Sequence, residues 1–181
     1  MTLLQDKTRN WHDDKTDTDA YLSYCIRVVQ TFAATKVEIS GLYDDRNLAT
    51  DLISADSSCR IGVRIRGESA LHYKSEFTLR AGRPSGAKSE WQKIMRDKAG
   101  NYMLYGFRDP NKAGWLVEWY LIDLDVFRAH EAACKAAGGR QFRVNTDGTS
   151  YFVYAYDAFP PELIIACKRD GVVSPIPAPK E

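Results

Sequence analysis

From Cys59 to Arg80 the chain alternates in steps of two. In 59–66 (CRIGVRIR), Ile61, Val63 and Ile65 alternate with Gly62, Arg64 and Arg66. Successive side chains of a strand point to opposite faces, so one face of this run is apolar and the other carries two arginines. Gly67-Glu68-Ser69 reads as a turn. It leads into 72–80 (HYKSEFTLR), where Tyr73, Ser75, Phe77 and Leu79 oppose His72, Lys74, Glu76, Thr78 and Arg80. Two alternating runs joined by a short turn predict a hairpin, which confines the chain to folds built on an antiparallel or mixed sheet.

The flanking sequence supplies helices. Asp17-Thr18 can cap a helix whose apolar stripe is Tyr21, Tyr24, Cys25, Val28 and Phe32, at three- and four-residue steps. Residues 47–55 (NLATDLISA) read as a short strand. After the loop Gly82-Arg83-Pro84-Ser85-Gly86, Ser89 and Gln92 fit a capping box for a short helix through Arg96. Strands are expected at 101–107 and 115–122 around the turn Asp109-Pro110-Asn111, and a helix capped by Asp123 or Asp125 should stop at Gly138-Gly139. The runs 150–157 and 162–167 read as further strands. Runs of strands bracketed by helices define an α+β class. With 181 residues, the expectation is one domain over 1–173, with 1–16 frayed and a Pro-rich flexible tail from Ser174.

Seven Phe, ten Tyr and four Trp are too many for a disordered chain. No apolar run approaches the ~20 residues of a membrane helix, and the acidic start lacks the features of a signal peptide. Cys25, Cys59, Cys134 and Cys167 form no C-x-x-C pair and read as reduced, mostly buried thiols. A cytoplasmic protein without a membrane partner is the expectation.

Charge is unevenly spread. Residues 1–56 hold six Lys or Arg against ten Asp or Glu, whereas 59–96 hold nine against three, a local +6. Arg presents a fixed fork of donors to phosphate oxygens, and each neutralised phosphate releases counterions. Arg64, Arg66 and Arg80 are therefore expected to form a nucleic-acid-binding ridge on one sheet face, extended by Arg83, Lys88 and Lys93. The alternative is solvated charge that protects strand edges. The Arg83–Lys88 loop, just before a helix N-terminus, can cradle a phosphate, although it lacks the G-x-x-x-x-G-K-[ST] pattern of a P-loop. Trp91, Tyr102, Tyr105, Phe107, Trp115, Trp119 and Tyr120 read as core rather than as base-stacking groups. The histidines His12, His72 and His130 show no zinc spacing.

Metal-assisted phosphodiester cleavage needs oxygen ligands for a hard cation and a positive group beside the phosphate. Asp51 and Glu76 supply carboxylates that meet if the sheet register brings them level. The alternative makes Asp51 an edge or cap residue and Glu76 a cross-strand partner of Arg64 or Arg66.

The order helix, strand with Asp51, Arg-bearing hairpin, Glu76-Phe77-Thr78-Leu79-Arg80 and helix resembles the core of the PD-(D/E)XK, or restriction-endonuclease-like, superfamily. The phrases EFTLR, RPSGAKSEWQKI and NYMLYGF, within residues 36–130, also look like those of small phage and bacterial proteins. The resemblance implies a nuclease in which Asp51 and Glu76 hold Mg²⁺ or Mn²⁺ while water attacks the phosphodiester. Thr50-Asp51 would stand for the Pro-Asp pair. The pattern departs at Thr78, where the resemblance implies a lysine. Either Arg80 or Lys74 substitutes, stabilising developing charge, or only the binding surface persists. The expectation is thus a metal-dependent nuclease acting on nucleic acid, DNA foremost. Its alternative is a non-catalytic nucleic-acid-binding or host-interaction module, with a host protein or nucleoprotein as partner.

Overall fold

The computed structural model describes residues 11–41 and 50–175. In chain order the elements are α1 (Trp11–Gln30), β1 (Val37–Ile39), β2 (Leu52–Ser54), β3 (Arg60–Arg66), a 3₁₀ turn (Glu68–Tyr73) and β4 (Glu76–Gly82). There follow α2 (Glu90–Arg96), β5 (Tyr102–Arg108), β6 (Leu116–Asp123), α3 (Leu124–Ala136), β7 (Arg140–Val144), β8 (Ser150–Ala155), β9 (Ile164–Arg169) and β10 (Val172–Pro175). The class is α+β. A seven-stranded sheet runs β1-β2-β3-β5-β6-β9-β10, and a three-stranded sheet runs β4-β8-β7. Every pair is antiparallel except β3 with β5.

Alternation decides how the layers stack. Ile61 of β3, Leu104 of β5 and Trp119 and Leu121 of β6 bury one face of the large sheet against Tyr21, Tyr24, Cys25 and Val28 of α1. The opposite face, with Met103, Tyr105, Phe107, Tyr120 and Ile122, packs on the small sheet and on α2 and α3. Phe77 of β4 is fully buried there, its ring 5.2 Å from both Tyr154 and Tyr156 and 5.8 Å from Phe127. The aromatics Tyr105, Phe107, Trp119 and Tyr120 are core, as their alternation requires.

Local signals hold where they are strongest. Ser89 and Gln92 make the reciprocal capping box of α2, and the Asp123 carboxylate accepts from the backbone of Asp125 and Val126. After α3, Gly138 takes φ +79° and Gly139 N donates to Cys134 O at 2.9 Å. These glycines close the helix C-terminus as expected.

Four expectations are corrected. The 59–66/72–80 hairpin does not form: residues 68–73 coil, burying Ala70, and β4 begins only at Glu76 and joins the other sheet. Long-range pairing wins there, because β4 finds β8 (Phe77 opposite Tyr154, Leu79 opposite Phe152) and an aromatic core for both apolar side chains. β3 instead pairs with β5 after the β4–α2 crossover. The frayed start is helical from Trp11, and residues 1–10 lie outside the described ones. The segment from Ser174 enters the large sheet, since Ser174 and Pro175 pair with Cys167 and Ala166, and residues 176–181 lie outside the described ones. The 47–55 strand is short, Leu52–Ser54, with 47–49 outside the described residues.

All four cysteines are free. Burial, helped by Asp51, pushes the Cys25 thiol up to about 12. Among the described residues no helix is long and apolar enough to cross a membrane.

Candidate anion-binding cleft

Because β3 turns its branched residues toward α1, Arg64 and Arg66 face the second layer, alongside Tyr105 and Phe107, their partners on β5. On the small sheet, Arg80 of β4 pairs with Tyr151 of β8, which pairs in turn with Arg143 of β7. Paired residues share a face, so these three form a row across the sheet. The arginines expected as one ridge therefore come from two facing sheets. Arg66 Nη1 donates to Thr78 Oγ1 of β4 at 2.9 Å, and the Thr78 and Tyr105 hydroxyls lie 3.3 Å apart.

One end of this seam holds three arginines. Arg64 Nη1 donates to Glu90 Oε2 at 2.5 Å, and the same oxygen accepts from the Arg80 backbone N–H at 2.9 Å. The capping box of α2 fixes Glu90 as the first helical residue, which places its carboxylate at the end of β4. The Arg80 guanidinium has no hydrogen-bond acceptor among the described residues. Burial, then the adjacent Arg64 and Arg83, lower its pKa, while Glu90 and Asp147 oppose the shift. Arg64 Nε is likewise buried without an acceptor among the described residues. Arg83 is exposed in the following loop.

At the other end, Arg66, Tyr73, Glu76, Thr78, Arg143 and Tyr151 line a cavity of about 80 Å³. Arg143 lies 5.9 Å from the Tyr73 ring centroid and donates to Gln141 Oε1 at 2.9 Å. Glu76, half-buried, makes no side-chain ion pair or hydrogen bond among the described residues. The expected neutralisation of Arg64 by Glu76 is thus supplied by Glu90 instead.

The other expected residues fall elsewhere. Lys74 follows the 3₁₀ turn rather than sitting in β4, and its ammonium binds Glu118 at 2.8 Å and Asp170 at 3.1 Å. Both contacts raise its pKa and hold it away from Arg80's corner. Lys88 is tied to Asp97 at 2.8 Å, and Lys93 is buried in α2. Asp51 precedes β2, and its Oδ2 accepts from Val63 N at 2.6 Å, locking β2 to β3. Glu76 opens a strand of the other sheet, so no sheet register brings the two carboxylates level. One carboxylate is committed to a backbone N–H and the other sits among arginines, so the pair does not fit a shared Mg²⁺ or Mn²⁺ site. Among the described residues no group of three or more His, Cys, Asp or Glu is gathered for a metal ion.

Glu90, Arg143, Tyr73 and Tyr151 were not legible as site residues. Only β7 left a trace: Phe142 and Val144 alternate just before Asp147-Gly148, a hairpin signature.

No family model, curated protein or solved structure matches the chain. The reading of function therefore rests on the cleft.

Proposed function

We propose that the protein binds nucleic acid, DNA foremost, by closing Arg64, Arg80 and Arg83 on backbone phosphates, and that it does so without cleaving them. The observation that carries this reading is the Arg80 guanidinium, part-buried beside two like charges and without a hydrogen-bond acceptor among the described residues. Desolvated like charges cost free energy in the empty protein, and an oxyanion that accepts from the cluster offsets that cost. Arginine suits this role because its fork matches phosphate oxygens and its charge persists when neighbours disfavour it.

A metal-dependent nuclease is the second reading, and the Glu76 carboxylate at the cleft, without an ion pair or side-chain hydrogen bond among the described residues, is the observation that favours it. Direct titration of labelled single-stranded and duplex DNA and of RNA, at low salt, tests binding. Parallel incubation with Mg²⁺ and Mn²⁺ tests cleavage. Binding weakened in Arg80→Ala with the strands left intact supports the proposal. Strand scission abolished by Glu76→Ala would establish the nuclease in its place, and no binding to any polynucleotide would refute both.

A further inference from the structure

The cavity beside Glu76 asks for a ligand of a different kind from the phosphate that the Arg64–Arg80–Arg83 corner favours. It combines one carboxylate without a partner among the described residues, two guanidinium groups that each spend a donor on a neighbour (Arg66 on Thr78, Arg143 on Gln141) and the rings of Tyr73 and Tyr151. At about 80 Å³ it is far smaller than the ~300–1,000 Å³ of a pocket for a whole small molecule. It admits the edge of one planar ring system.

Resting on the nucleic-acid reading above, we infer that this cavity takes an unpaired guanine from a single strand. A carboxylate only accepts hydrogen bonds, so its best base is one with two adjacent N–H donors on one edge. Guanine alone has them, at N1 and N2. Adenine and cytosine set a donor beside an acceptor, and thymine flanks its single donor with two acceptors. Guanine's O6 and N7 acceptors, on the next edge, match an arginine fork. Tyr73 and Tyr151 supply ring faces on which a base stacks. Both donors lie on guanine's Watson–Crick edge, which pairing in a duplex consumes, so the base must arrive unpaired. Arg80 and Tyr151 are cross-strand neighbours, so the phosphate corner and the base cavity share one row of the small sheet.

The experiment is an anisotropy titration at about 50 mM salt with labelled oligothymidylate, the same strand carrying one dG, and the same strand carrying inosine, which lacks the N2 amino group. The wild-type protein should bind the dG strand roughly five- to a hundred-fold more tightly than plain oligothymidylate, with inosine between them. Glu76→Gln should erase that preference, read as the ratio of the dG-strand to the oligothymidylate affinity, because removing an acid beside Arg66 and Arg143 moves both affinities together. Arg143→Ala, a second variant outside β4, should reduce the preference, and the melting temperature of each variant reports whether it is folded. Equal wild-type affinity for the dG and oligothymidylate strands overturns the guanine pocket and leaves the nucleic-acid reading standing. A preference that survives Glu76→Gln also overturns the pocket. Failure to bind any strand removes the nucleic-acid reading and the pocket with it.

Discussion

Replacing Glu90 by Gln separates what holds the cleft together from what it binds. One oxygen of Glu90 accepts from Arg64 Nη1 at 2.5 Å and from Arg80 N at 2.9 Å. Glutamine keeps an acceptor and removes the charge, so the Arg80 N–H bond becomes a neutral pair while the Arg64 bond keeps its cationic donor and loses the ion-pair attraction. Hydrogen bonds to charged groups contribute about 1.5–3 kcal/mol against about 0.5–1.5 for neutral pairs. Both side chains of the ion pair keep about a fifth of their exposure, 22% for Arg64 and 20% for Glu90, so solvent screening trims the total. The expected loss is about 2 kcal/mol, which for a domain of this size lowers Tm by about 4–8 °C. Polyanion affinity should move the other way, because Arg64, Arg80 and Arg83 lose a competing anion. Calorimetric melting with and without added sulfate, beside a nucleic-acid titration, reads both quantities. A lower Tm, larger sulfate rescue and tighter binding are expected. An unchanged Tm together with weaker binding would refute the assignment of Glu90 as the internal counter-ion of the cluster.

Two further outcomes follow from the fold. Asp56, in the β2–β3 turn, accepts from the Ser54 and Ser58 hydroxyls and from Ser58 N, which lowers its carboxyl to about 2. A depressed folded-state pKa contributes stability that is present above the unfolded value and is lost as pH falls through the folded one. Asp56→Asn should therefore flatten the acid limb of the stability curve between about pH 4 and about pH 2, and an unchanged limb in acid titration followed by circular dichroism would contradict the turn assignment. Cys25, with its thiol pushed up to about 12 by burial, should resist iodoacetamide at about pH 8 in the native protein and react once urea unfolds it, as peptide mass mapping will show.

The sequence displayed those features whose cause is local. Alternation in β3 placed Arg64 and Arg66 on one face, and the Ser89–Gln92 pair marked the start of α2. What could not be read is the choice of partner strands. Phe77 and Leu79 fit a hairpin with β3 as well as they fit β8, and only the assembled aromatic core separates the two. That choice also determined the candidate site. It took Glu76 out of Asp51's sheet, turned Arg80 toward Arg64 from a facing layer, and brought Arg143 from a strand far along the chain into the same row. Glu90 looked like an ordinary acidic residue in a helix's first turn, favourable to the dipole, until β4 ended beside it.

The central claim is that Arg80 and Arg83 hold phosphates, and the salt dependence of binding tests it most directly. Neither residue is the sole partner of a buried acid, so the Arg80→Ala/Arg83→Ala protein should fold with little change in stability. Each phosphate contact contributes about 0.7 to the log–log salt slope on a single strand and about 0.9 on a duplex, measured from about 50 to 200 mM salt. The double variant should therefore lose about 1.4 units on single strands and about 1.8 on duplexes, to the same extent on unrelated sequences. Equal slopes and equal affinities for the two proteins would contradict the account.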